Sequence, residues 1–194
     1  MPTVTTQFER ASSVGRVDLE LLRVPALALL SPPRRLAGLG QGSRYSAPMS
    51  GTVSHIHIGS QHGAEPRSLE QVRALANKGL EGDRNLGSIR NVTIVCEGEL
   101  AKAAADMGED TLVPGSTRRN ITVTLDELPR THGTRIELGE VVVEVWRNSS
   151  PCELMETSVG PGARDALKGR AGISATVTHG GVIRVGDPVI IDAD

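Results

Sequence analysis

A cysteine set behind a proline is the sharpest chemical feature of this chain. Cys152 follows the polar stretch Asn148-Ser149-Ser150-Pro151 and opens Glu153-Leu154-Met155-Glu156, a segment able to form a helical turn. A thiol at the start of a helix meets uncompensated backbone N–H groups, which favour thiolate, the form that binds soft metals and attacks electrophiles. The alternative is a small hydrophobe under a loop. Two polar turns are the next candidates. In Gly79-Leu80-Glu81-Gly82-Asp83-Arg84-Asn85, Gly82 allows a close approach of backbone to ligand and Arg84 offers a planar fork suited to phosphate or carboxylate. A local Asp83–Arg84 ion pair that merely fixes the turn accounts for the same residues equally well. In Pro114-Gly115-Ser116-Thr117-Arg118-Arg119-Asn120, two guanidiniums and an amide arrive at the head of a strand. Neighbours on a strand point to opposite faces, so Arg118 and Arg119 reach one ligand together only if the turn is irregular; otherwise the turn is simply solvated.

Other chemistries find less support. His55 and His57 have the i, i+2 spacing two metal ligands can use, but no Cys or carboxylate at a recognisable spacing completes the set. Cys96 ends the alternating run Val92, Ile94, Cys96 and reads as core. No G-x-S-x-G, P-loop or G-x-G-x-x-G occurs, which weighs against serine hydrolases, nucleotide hydrolases and Rossmann dehydrogenases.

The elements that must position these residues are short. Residues 52–58 alternate, with Val53, His55 and His57 on one side and Ser54, Ile56 and Ile58 on the other, so they predict a strand. Ser68 and Gln71 form a capping pair ahead of Leu69, Val72, Leu75 and Ala76 at helical spacing, with Gly79 as C-terminal cap; this predicts a helix. Residues 91–96 predict a strand and 99–107 a helix closed by Gly108. Further strands are expected at 121–125, 134–138, 141–146, 173–178, 182–185 and 189–191, with Gly180-Gly181 as a hairpin turn between two of them. Seven or eight short strands with helices in the connections imply a mainly β fold, a barrel or a strongly bent sheet.

Composition agrees with one domain and narrows its partners. Of 194 residues 38 % are apolar, nearly all aliphatic, and the aromatics are only Phe8, Tyr45 and Trp146. Base stacking therefore cannot be a major device, and a formal net charge of −2 gives no general attraction to nucleic acid. No stretch has the roughly 18 apolar residues of a membrane-spanning helix. Two cysteines 56 positions apart form no disulfide framework and suit a reducing cytoplasm. The charge is uneven: residues 1–48 hold six of the 21 basic and three of the 23 acidic residues, a net of +3, leaving −5 for 49–194. In 24–48 Pro, Gly and Ser interrupt every apolar run. Residues 1–48 accordingly read as an arm without a core, either a disordered Arg/Ser-rich targeting segment or sequence upstream of a start at Met49, and 49–194 as the domain.

Taken in order, the segments resemble the MOSC family, named for the C-terminal domain of molybdenum cofactor sulfurase. The resemblance rests on GLEGDR at 79–84, VTIV and an acidic helix start at 92–99, PG-x-x-x-RNITV at 114–123, G-x-R-I-E-L-G at 133–139, Pro151-Cys152, and GG-x-I-R-VGD-x-V at 180–189. It covers nearly everything after Met49 and leaves 1–48 without a counterpart. It implies a barrel-like MOSC domain that handles the molybdenum cofactor or its sulfur, with Cys152 as molybdenum ligand or persulfide carrier. By the same resemblance Gly82, Asp83, Arg84, Arg118, Arg119 and Asn120 bind the anionic pterin cofactor. Two functions are expected: reduction of an N-hydroxylated small molecule with electrons from a separate donor protein, or non-catalytic carriage of sulfur or cofactor between a sulfur donor and a recipient. Arg119 stands where many relatives have an acidic residue and Asn85 where His is common, so the resemblance leaves the substrate open.

Overall fold

The structure is a computed structural model that describes residues 49–191, so the arm expected at 1–48 lies outside the described residues. The elements run β1 (Met49–Ile58), β2 (Arg67–Leu69), β3 (Gln71–Leu75), β4 (Gly79–Leu80), β5 (Val92–Cys96), α1 (Glu97–Met107), β6 (Ile121–Val123), β7 (Arg135–Leu138), β8 (Val141–Asn148), α2 (Glu153–Val159), α3 (Ala163–Ala166), β9 (Ile173–His179), β10 (Gly181–Arg184) and β11 (Pro188–Ile191).

Seven strands close a barrel in the order β1, β11, β7, β8, β9, β5, β6 and back to β1, with β2 attached farther along β1. Closure leaves no free edge within the ring. The β5–β6 pair is parallel, as a strand–helix–strand connection through α1 requires, whereas the other ring pairs are antiparallel. Inside lie Ile94, Ile121, Ile136, Leu138, Val143, Ile173 and Val177, all fully buried. Branched aliphatics suit so narrow a lumen, and Trp146 is on the outside. A second cluster joins the helices: Ala103 of α1, Met155 of α2, Ala163 and Ala166 of α3, and Leu167. A small sheet, β10–β3–β4, completes the described residues, and none of their helices is long and apolar enough to cross a membrane.

Three local expectations need correction. Residues 68–76 are not a helix but parts of β2 and β3. The sequence carries both periods: Leu69, Val72 and Leu75 fit a helix, while buried Val72 and Ala74 between exposed Gln71, Arg73 and Glu70 fit a strand. Pairing with β10 selects the strand, because a neighbour that accepts four residues in register outweighs local propensity. Gly180-Gly181 is not a hairpin turn either. β9 stays in the barrel while β10 crosses to β3, so the pair marks the corner between two sheets. In β1 the alternation breaks: the register slips between Val53 and His55, and Val53 and Ile56 both enter the core.

Candidate functional site

The two polar turns meet across a buried junction. Asp83 is 4 % exposed, and its Oδ2 accepts from the Gly59 amide at 3.0 Å and from Asn120 Nδ2 at 2.9 Å, its Oδ1 from the Asn85 amide at 2.8 Å. Asn120 also donates to the His57 carbonyl at 3.1 Å and accepts from the Thr93 amide and hydroxyl at 3.0 and 2.8 Å. Four segments are thereby tied together by groups that would be costly to bury unpaired. Asp83 and Asn120 thus spend their polar atoms on the protein's own frame and act on the site by holding the turns. Gly82 precedes them at φ +81° and is exposed.

What the junction positions is a set of cations. Arg84, Arg90, Arg118 and Arg119 line one cavity of about 240 Å³, with Asn85, Ser88, Thr93 and Ser174 as neutral hydrogen-bonding groups and no carboxylate in its wall. Arg118 and Arg119 share it because the turn is irregular: Arg118 takes φ +60°, and β6 begins only at Ile121. Arg118 braces its guanidinium on the Ala64 carbonyl at 2.6 Å. Arg84 lies over Gly59, where a β-carbon would collide with its guanidinium, and its amide donates to the Gly59 carbonyl at 2.8 Å. Gly115, at φ +84°, packs on the His57 imidazole, with a β-carbon placed only 2.7 Å from the ring; the turn carrying the two arginines is seated there by the absence of a side chain. Four guanidiniums in one small space repel each other unless an anion is present, so the cavity favours phosphate-like or carboxylate ligands.

Cys152 does not line this cavity but lies within electrostatic reach of Arg119 in its wall; it is exposed, precedes α2, and its thiol makes no capping bond to the helix. Three residues on, Met155 is fully buried; its burial is worth about 1.5–3 kcal/mol and anchors α2. Arg119 links cavity and loop. Its Nε donates to the Ala171 carbonyl at 2.7 Å and its Nη2 to the Ser150 carbonyl at 3.1 Å. Burial pushes the Arg119 pKa down to about 10; the neighbouring Cys152 acts to raise it and Arg84 to lower it further. The group stays charged at neutral pH. Ser149 and Ser174 share a 2.9 Å hydrogen bond that joins the loop to the cavity wall.

Sequence reasoning missed two arginines. Arg90 was unremarkable as an exposed residue before a strand. Arg130 sits far from the cavity's turns in sequence, yet Nη1 donates to the Gly172 carbonyl at 2.9 Å and Nη2 to Gly169 at 3.0 Å, while the same guanidinium pairs with buried Glu99 of α1. The Gly172 carbonyl also accepts the Ser149 amide at 2.9 Å. Arg130 therefore braces the segment that leads into Cys152. No sequence signal marks it, since its partners are carbonyls about 40 residues away.

The remaining candidates fall elsewhere. His55 and His57 stack at 6.2 Å, and among the described residues no three His, Cys, Asp or Glu side chains form a metal-sized cluster. Burial, followed by the charge of His55, lowers the His57 pKa. Cys96 is buried, and desolvation pushes its thiol up to about 12, while Cys152 is exposed. Trp146 packs outside the barrel on His132, with ring centroids 5.1 Å apart, and does not line the arginine cavity.

Comparison with known proteins places this arrangement. No curated protein matches the chain. Among solved structures it is similar to the YuaD protein from Bacillus subtilis, at 16 % identity over 76 % of this chain and 99 % of that one, with a TM-score of 0.64. YiiM from Escherichia coli is 19 % identical over 76 % of this chain and 71 % of its own, TM-score 0.58; YiiM from Geobacillus stearothermophilus is 16 % identical over 73 % and 74 %, TM-score 0.56. At such identities these likenesses speak for the fold alone. The family model of the MOSC domain matches residues 81–190, more than half of the chain and all of the arginine cavity and the Cys152 loop, and the chain belongs to the MOSC family.

Proposed function

We propose that this protein binds the molybdenum cofactor at the Cys152 loop and reduces N-hydroxylated small molecules with electrons from a separate donor protein. One observation carries the reading: four guanidiniums line a single cavity that has no carboxylate in its wall, and one of them, Arg119, is an electrostatic neighbour of an exposed thiol. The donor set fits the group. Cys152 would supply one soft thiolate ligand, and Arg84, Arg90, Arg118 and Arg119 would hold the anionic tail of the pterin. The chemistry supplied by that group when bound is a two-electron reduction in which an N–OH compound takes two electrons and two protons and leaves as the N–H compound and water. The protein's own part is to position. Asp83 and Asn120 lock the two turns, Arg119 holds the Ser150 carbonyl, and Arg130 fixes the segment entering Cys152. In this reading the protein works in the cytoplasm.

The exposure of Cys152 also suits a second reading, in which the thiol hands sulfur or cofactor to a partner protein. The test is to purify the full chain and Cys152→Ser from a host that makes the cofactor and to measure molybdenum and pterin. Loaded wild type with an empty variant is the expected result. If both lack molybdenum and pterin under conditions that load a known binder, reductase and cofactor carrier fall together. Loaded protein that reduces no N-hydroxylated compound with a supplied donor favours the carrier.

A further inference from the structure

A second cavity, on the far side of the turn that carries Arg118 and Arg119, has the opposite electrostatic character. It is a half-open cavity of about 390 Å³ between α1, the outer faces of β1 and β6, and the connection after α1, with the acidic residues Glu97 and Asp110 exposed at its wall. Leu100, Ala101, Leu112 and Pro114 give it apolar walls; Glu97 from the first turn of α1 and Asp110 from the connection bring carboxylates, with His55 beside them. No Lys or Arg lines it, and among the described residues neither Glu97 nor Asp110 has an ion-pair partner. It shares no residue with the arginine cavity.

We infer that this cavity is a binding site for a small organic cation with an apolar body, such as an aryl- or alkylammonium ion. Its size falls in the range of small-molecule pockets, roughly 300–1,000 Å³, and its plan is theirs: apolar walls and few polar groups. Two carboxylates without cationic partners set the sign of the ligand's charge, since an anion there meets repulsion from both. The apolar walls set its body, because a bare metal ion or ammonium gains nothing from covering leucine and proline. His55 offers a flat ring for an aromatic body to stack on. The site stands independently of the molybdenum reading, since it uses neither Cys152 nor any of the four arginines.

The test uses the full-length protein and two probes of like shape and opposite charge, phenethylammonium and phenylacetate, followed by calorimetric titration. Saturable binding of phenethylammonium is expected, with phenylacetate weaker by about ten-fold or more. The double variant Glu97→Gln, Asp110→Asn should weaken the cation about five-fold, and Ala101→Trp, which fills the cavity from an exposed helical position, should abolish binding. Cys152→Ser should bind the cation like wild type, which separates this outcome from that of the molybdenum reading. Absence of saturable binding, equal binding of the two probes, or undiminished binding by a folded Ala101→Trp protein overturns the inference; should that variant fail to fold, the double carboxamide variant decides.

Discussion

The junction at Asp83 and Asn120 and the loop at Cys152 treat their polar atoms in opposite ways. At the junction both side chains are nearly inaccessible and bonded several times over within the protein. At the loop the thiol is exposed and unbonded to its helix, and order comes instead from two arginines that hold backbone carbonyls before it and opposite it. The difference separates frame from candidate reagent: a satisfied group is fixed and unreactive, whereas the exposed thiol is left free, as the proposed function needs, and is steadied through its neighbours.

Mutations can break that contrast, and the largest effect belongs to the reagent. Under the proposed function, Cys152→Ser is expected to remove the bound molybdenum while moving the melting temperature by less than about 2 °C, as an exposed conservative change should. Metal analysis beside a thermal melt checks both; a large loss of stability would place the thiol in the frame. Asp83→Ala and Asn120→Ala should each cost about 2–4 kcal/mol in urea unfolding, and the double variant less than their sum, because each truncation strands the other's partners. Strict additivity would show two independent sites. Arg130→Met, which leaves Glu99 buried without its cation, should cost about 2–3 kcal/mol and sharpen the picture of Arg130 as a brace. If stability is unchanged, the brace is redundant.

The two cysteines offer a milder test. An alkylating reagent at pH 8 should label Cys152 alone in the native protein, because the Cys96 thiol, pushed up to about 12 by burial, is both inaccessible and protonated. A second native label would mean that the barrel opens. The smallest expected effect is one of pH. His57 is held below its ordinary value near 6.5, so the unfolded chain takes up a proton at a higher pH than the folded one. Stability is therefore present in full above about pH 6.5 and declines as pH falls below it. Denaturant midpoints should follow that slope, and His57→Gln should flatten it.

Much of the fold was legible. The strands at 121–125, 141–146 and 189–191 announced themselves by short β-branched runs, and α1 by its alanines and the Gly108 cap, seen at φ +75°. The failures share a cause. Residues 68–76 satisfied two periodicities, and Gly180-Gly181 suited either a hairpin or a corner; in both places β10 pairing with β3 chose, and that partner lies over a hundred residues away. At the site, Cys152 and three of the four cavity arginines could be named from motifs. Arg90 and Arg130 could not: Arg90 is only a lining residue brought to the cavity by the fold, and the Arg130 guanidinium bonds to distant carbonyls, which leaves no local pattern.

By itself, then, the sequence determined the aliphatic core, a mainly β barrel with few helices, and a cysteine flanked by cationic turns, since composition and short-range spacing carry those properties. Only the tertiary structure decided that the four arginines face one space, that Asp83 and Asn120 serve the frame, and that an acidic apolar cavity lies behind the arginine turn. Those outcomes depend on which strands meet and in what register, and on a left-handed residue, Arg118, that turns its side chain toward the cavity its neighbour lines instead of away from it.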